Sequence, residues 1–426
     1  MAEFSAEIYQ NEFLPDGGTD VHAIVSVTCT GAGAAGQGEG DEAAEIVIVD
    51  TSGSMAGDKI VAAQRAAAVA VDQILDGTWF AIIAGTDGAD RAFPYPNAVS
   101  PMVRMEPGAR AAARQAVSRL VAGGGTAIGS WLRLATQLFQ TVPQATQRHA
   151  ILLTDGKNQS ETDEALQAGI RTARGVFQCD CRGVGADWDV AELRGVATAL
   201  LGTVDLIPDP ASMEAAFAQL MQQAMGRGVA DAQLRVWAPQ GAQVLFVRQV
   251  SPQVEDLTSR RVDLNPLTGG YPTGAWGDET RDYHVAVRLA SKPLGSEQLA
   301  ARVMVAVRDE VKAQGLVKAL WSSDDTLTTR INPAVAHYTG QAELAQVIQE
   351  GLAAKAAGDE ATATTKLGRA VQLAEATGND EATSRLRKVV DIDDPATGTV
   401  RLKRGVDKLD EMALDTSSTK TTRVKK

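Results

Sequence analysis

Between residues 40 and 228 the chain alternates short apolar runs with stripes of apolar residues at helical spacing. Glu45-Ile46-Val47-Ile48-Val49 reads as a buried strand. From Asp58 onward Ile60, Ala63, Ala67, Val71, Ile74 and Leu75 form a helical stripe behind an acidic start. Residues 79–84 then read as strand, 107–121 as a helix opened by proline, and 127–142 as helix. The alternation continues with strand 149–154, helix 161–174, strand 176–184, helix 190–200, strand 203–207 and helix 211–225. Such repetition predicts an α/β, doubly wound and mostly parallel sheet with helices on both faces. Arg91-Ala92-Phe93-Pro94-Tyr95 is expected as a short edge strand, where a proline costs no ladder bond.

The flanks have a different period. Residues 22–29 are β-rich, and 31–40, dense in Gly and Ala, read as a linker. Period-two alternation returns in 234–237, 283–287 and 303–307, with Leu267-Thr268-Gly269-Gly270 as a turn between strands. One β region lies before the α/β segment and the other after it. The expectation is therefore that 1–35 pairs with 229–330 in one antiparallel β-sandwich, with 40–228 inserted between its halves. From about Pro333 the pattern is helical, with stripes Leu344, Val347, Ile348, Leu352 and Leu367, Ala370, Val371, Ala374, and with Gly358 and Gly378 as helix stops. Residues 331–413 read as a helical hairpin region. The stretch 351–379 is similar to one tetratricopeptide unit and is read as a packing face, since one repeat makes no solenoid. Residues 414–426, almost without apolar content, are expected to be disordered. Their hydroxyls, on Thr416, Ser417, Ser418, Thr419, Thr421 and Thr422, stand beside basic residues and are candidates for phosphorylation.

Composition narrows the classes. A chain of 426 residues suggests two to four domains, and a formal charge of −12 disfavours nonspecific nucleic-acid binding. Residues 1–7 lack a basic region followed by an apolar core, and no apolar run reaches bilayer-spanning length, so a cytoplasmic location without a membrane partner is expected. An odd count of three cysteines agrees with that compartment. Cys179 and Cys181 flank Asp180 on one strand and would share a face, too far apart for an easy disulfide. They are read as structural thiols.

The candidate chemistry begins where the first buried strand ends. In Asp50-Thr51-Ser52-Gly53-Ser54-Met55, alternate positions of an extended loop would aim Asp50, Ser52 and Ser54 at one point. Thr126, after Gly123-Gly124-Gly125, sits at a flexible loop-to-helix junction where its hydroxyl can face outward, and Asp155 follows the second buried strand. All donors are hard oxygens, which suit Mg2+, Mn2+ or Ca2+ and argue against zinc or copper. In an open α/β sheet, ligands bind beyond the carboxyl ends of the strands, where Asp50 and Asp155 would lie.

The order Asp-x-Ser-x-Ser, then Thr, then Asp resembles the metal-ion-dependent adhesion site of a von Willebrand factor A domain. The resemblance implies Mg2+ coordinated by Ser52, Ser54 and Thr126, with Asp50 and Asp155 acting largely through waters and one position open to a protein partner's Asp or Glu. Residues 45–156 carry it. The layout is also similar to bacterial proteins of the tellurium-resistance-associated and actinobacterial type, which implies a Ser/Thr kinase, a phosphatase and forkhead-associated domain proteins as partners. The expectation is a non-enzymatic scaffold. The alternatives are an accessory subunit of an ATPase or chelatase-like complex and a metal-dependent hydrolase. Against hydrolysis, the sequence places no His, Lys or further carboxylate near the ion as a general base.

Overall fold

The computed structural model describes residues 2–37 and 41–424, so part of the expected linker, 38–40, and the last two residues of the expected tail lie outside the described residues. The chain divides into two compact units. One comprises 31–231 with 274–277; the other comprises 2–30, 232–273 and 278–426.

The first unit is built on a sheet whose strands run, in spatial order, Val204–Ile207, Gln178–Val184, Gln147–Thr154, Ala43–Asp50, Trp79–Gly85 and Ala89–Phe93. All neighbours are parallel except the last pair, which is antiparallel. The central strand Ala43–Asp50 is buried at every position, as a strand covered on both faces must be. On one face Val47, Val49, Ile82, Ile151 and Leu153 pack against Ala63, Ala67 and Val71 of helix Asp58–Gln73, Val117 of helix Pro107–Val117, and Phe217 and Met221 of helix Met213–Met225. Helices Ile128–Gln140, Asp163–Ala173 and Val190–Ala199 form a second helical layer. Trp131 from that layer lies so close over the sheet that a Cβ at Gly85 would come within 2.4 Å of its ring.

The strand order reverses direction between Ala43–Asp50 and Gln147–Thr154: the first is followed in sequence by its neighbour on one side, Trp79–Gly85, and the second by its neighbour on the other, Gln178–Val184. At such a switch point the connections leave to opposite sides and open a crevice at the carboxyl ends of the two strands. Asp50 ends the first of these strands and Asp155 immediately follows the second.

In the second unit, strand Glu3–Gln10 pairs with Asp20–Thr30, and Asp20–Thr30 pairs with Glu279–Arg288, which pairs with Gln243–Ser251. The N-terminal and post-insertion strands thus share one antiparallel sheet. A second sheet contains Glu297–Val307 and Glu310–Trp321, with the short Phe13–Leu14 added in parallel at its edge. Gly269 and Gly270, expected in a turn, open strand Thr268–Trp276; the turn lies just before them. The helical region holds Pro333–Ala356, Glu360–Ala376 and Asp380–Val389, then a β-hairpin, Val390–Asp394 with Thr399–Leu402, and helix Lys408–Ser417. Leu344, Val347, Ile348, Leu367, Ala370, Val371 and Ala374 meet in its core together with Val400 and Leu414.

The C-terminal segment corrects the expectation of disorder. Residues 408–417 are helical, and 418–424 run along the first sheet. Val254 N–H donates to Thr419 O at 2.7 Å and Thr421 N–H to Pro252 O at 3.0 Å. Arg423 Nε reaches Asp282 Oδ2 at 3.2 Å. A low apolar content misled because the segment is held by strand pairing and ion pairing, which need few apolar side chains.

Candidate metal centre

Asp50, Ser52, Ser54, Thr126 and Asp155 come from three segments that converge at the sheet's switch point. Asp50 has no exposed surface; its Oδ1 accepts from Ser52 N–H at 2.7 Å and its Oδ2 from Thr154 Oγ1 at 2.5 Å. Burial pushes the Asp50 carboxyl above its usual range, while the hydrogen bonds from Thr154 and Ser52 and nearby Asp155 act as smaller influences. The loop after Asp50 is not extended as expected. Gly53–Met55 is a single 3-10 turn, and that turn brings Ser52 Oγ and Ser54 Oγ to 2.9 Å. Ser54 Oγ then donates to Asp155 Oδ1 at 2.6 Å.

Thr126 also differs from expectation. It is 1% exposed, and its backbone is pinned by Ser160, whose Oγ accepts from Thr126 N–H at 3.0 Å and whose N–H donates to Thr126 O at 2.9 Å. Its hydroxyl faces inward: a Cβ placed on Gly156 would stand 3.2 Å from Thr126 Oγ1 and 3.5 Å from Ser54 Oγ. Backbone bonds lace the loops together, from Gly53 N–H to Gly124 O at 2.9 Å, Gly123 N–H to Thr51 O at 2.8 Å and Thr51 N–H to Gly85 O at 2.7 Å. The donors are therefore preorganised. Thr126 Oγ1 and Ser54 Oγ flank the place a side chain on Gly156 would take, and Ser52 Oγ and Asp155 Oδ1 are hydrogen-bonded to Ser54 Oγ; such a set of hard oxygens is the donor chemistry that suits a divalent cation.

Lys59 overturns the expectation that no lysine stands near. From the first turn of helix Asp58–Gln73 its Nζ reaches Asp155 Oδ2 at 2.5 Å. Helical periodicity treats that position as solvated surface, so only proximity in space identifies it. Thr154, as the support of Asp50, was likewise hidden in an apolar strand.

A second buried polar cluster crosses the same sheet. Glu45, His149 and Asp180 lie on three adjacent strands; His149 Nδ1 is 2.9 Å from Glu45 Oε1 and its Nε2 is 2.9 Å from Asp180 Oδ2. Asp180 Oδ1 accepts from Thr203 N–H at 2.6 Å and Thr203 Oγ1 at 2.5 Å. Burial alone would discharge His149, but the two carboxylates outweigh it and hold its pKa up to about 9. Glu45 is pushed up by burial; Asp180, despite burial, is held far below the usual range by His149. The available signal was a titratable residue at the third position of each of three largely buried strands. Cys179 and Cys181 beside Asp180 are free and buried.

The hydroxyls considered for phosphorylation are mostly engaged. Thr416 is buried and donates to Met412 O, Ser417 donates to Ala413 O, Ser418 accepts from Gln349 Nε2, Thr421 donates to Val250 O, and Thr422 accepts from Gln341 Nε2. Thr419 is half-buried. No helix among the described residues is long and apolar enough to cross a membrane.

Residues 44–206 match the family described as the von Willebrand factor type A domain, and residues 372–418 match the von Willebrand factor type A C-terminal domain. A von Willebrand factor type A structure from Catenulispora acidiphila is 48% identical, covers 99% of this chain and 97% of its own, and has a TM-score of 0.93. The ArnB paralog VWA2 from Sulfolobus acidocaldarius, covering 98% of both chains at 16% identity and a TM-score of 0.60, shares the fold. An uncharacterized protein from Synechocystis sp. is 31% identical over 216 residues, which is 50% of this chain; the chain spans about half the length of that curated relative, 49%.

Proposed function

Because the chain belongs to the von Willebrand factor type A family, we propose that it is a non-enzymatic protein-binding module that captures an acidic side chain of a partner through a bound Mg2+. Domains of this family are commonly protein-interaction modules. The observation that carries the reading is that Ser52, Ser54 and Asp155 are linked by hydrogen bonds, that Ser54 Oγ and Thr126 Oγ1 both stand beside Gly156, and that Asp50 accepts from the Ser52 N–H. Ser52, Ser54 and Thr126 would hold the ion as direct ligands, and Asp50 and Asp155 would supply charge from positions already hydrogen-bonded. Mg2+ bound there supplies an under-neutralised positive charge with a vacancy for a carboxylate.

The chain's own residues do the rest. Thr154 and the Ser52 N–H fix the Asp50 carboxylate, and Ser160 fixes the Thr126 backbone, so binding costs little reordering. Asp50 and Asp155 are both committed to hydrogen bonds within the cluster, which leaves neither of them as a general base.

The test uses the full chain. Asp50→Ala and Ser52→Ala are expected to abolish Mg2+-dependent retention of partner proteins while leaving the circular dichroism spectrum intact. Retention that persists in excess chelator would refute the reading. A place in Ser/Thr phospho-signalling, with kinase, phosphatase and forkhead-associated partners, draws no support from the tail, whose hydroxyls are largely tied into the fold.

A further inference from the structure

Resting on the metal-binding reading above, we propose that Lys59 is an internal counter-cation of this centre: it holds Asp155 when no ion is bound and sets the affinity and charge of the site when one is. The two carboxylates are unequal. Asp50 is supported by neutral donors, Ser52 N–H and the Thr154 hydroxyl. Asp155 accepts from Ser54 Oγ at 2.6 Å on one oxygen and from the Lys59 ammonium at 2.5 Å on the other. The Asp155 side chain is 0% exposed and that of Lys59 is 30% exposed, so a flexible and partly hydrated cation is paired with a fully buried anion.

Two consequences follow from that asymmetry. A buried carboxylate without a counter-charge is strongly unfavourable, so Lys59 keeps the metal-free centre folded and its loops assembled. An incoming divalent ion must then share Asp155 with a positive charge already in place. At about 5 Å in a water-like dielectric, repulsion between a divalent ion and an ammonium lowers affinity about tenfold. Once the ion is in, the ammonium leaves the centre more positive than two carboxylates alone would. This favours an anionic group over a neutral one in the open position.

The experiment titrates the chelator-stripped full chain with Mn2+ by calorimetry and by thermal unfolding, in the wild type, Lys59→Met, Lys59→Gln and Lys59→Arg. Removing the charge, in Met or Gln, is expected to tighten Mn2+ binding about tenfold. It should also lower the metal-free unfolding midpoint and enlarge the rise in midpoint on adding Mn2+. Arg, which keeps the charge, should stay close to wild type, whereas a purely steric role would move all three variants together. High salt should narrow the gap between wild type and the Met variant, because the effect is electrostatic. Equal or weaker Mn2+ binding in the Met and Gln variants overturns the role of Lys59 and leaves the metal centre standing. No heat and no midpoint shift in any of the four proteins overturns the metal centre itself.

Discussion

A methyl group at Gly156 would stand 3.2 Å from Thr126 Oγ1 and 3.5 Å from Ser54 Oγ, in the space the donors share. Gly156→Ala is expected to weaken Mn2+ binding by about ten- to a hundredfold, the range found when the support of a metal ligand is disturbed. The unfolding midpoint should barely move, and calorimetry with circular dichroism separates the two effects. At His149 the expected effect is on stability. Its folded pKa, about 9, lies above the unfolded value of about 6.5. The stabilisation from its carboxylate partners is therefore complete below about pH 6.5 and is lost as pH rises through about 9. The wild-type unfolding midpoint should fall between pH 7 and 10. His149→Gln should flatten that slope and cost about 3–5 kcal/mol near neutrality, as when a buried ionic cluster loses one member. A variant with the wild-type slope would show that His149 does not titrate there. The five oxygen-bearing residues of the proposed metal centre were picked out from residue type and chain order. Lys59 and the Glu45–His149–Asp180 cluster were not, because strand register and helix placement, not spacing along the chain, bring them to their partners.

Elements with one strong period were read to within a few residues. Strand Ala43–Asp50 and helices Asp58–Gln73 and Val190–Ala199 have faces that apolar burial alone dictates. Weakly periodic elements were located less well: strand Glu3–Gln10 has no apolar run of its own within the expected β region, the hairpin Val390–Asp394 with Thr399–Leu402 falls inside a region read as helical, and helix Lys408–Ser417 runs across the expected start of the tail. The C-terminal segment gives a measurable case. Thr421→Glu removes the hydrogen bond that Thr421 Oγ1 donates to Val250 O, at 2.7 Å, and sets a charge against a strand. A loss of about 1–3 kcal/mol in denaturant unfolding is expected, the cost of leaving a partly buried acceptor unmet. An unchanged midpoint would show that the Thr421 hydroxyl contributes nothing to stability. Gly85→Ala should be costlier than an ordinary surface change, since the Trp131 ring occupies the place of the added carbon and overpacking costs about 1–3 kcal/mol or more.

At the scale of the molecule, an α/β unit interrupts an antiparallel one, and the interruption is tolerated because the α/β unit's ends are close together. Ala35 N–H donates to Met225 O at 2.8 Å, and Gly228 packs against the backbone of Ala32 and Gly33. Neighbouring ends let a complete domain sit within a loop of another without stretching either. Residues 31–231 expressed alone are therefore expected to fold and to bind Mn2+ with an affinity close to that of the full chain, measured by calorimetry; an unfolded fragment would refute their independence. The sequence by itself determined the fold class and the sites of the apolar strands and helices, and it singled out five candidate donors, because periodicity and residue chemistry are local properties. Only the tertiary structure decided that Gly53–Met55 turns, that Thr126 faces inward, that Lys59 pairs with Asp155 and that the tail is held against a sheet. Each of those depends on which segments, distant along the chain, become neighbours in space, and a contact energy has no value until both partners are in place.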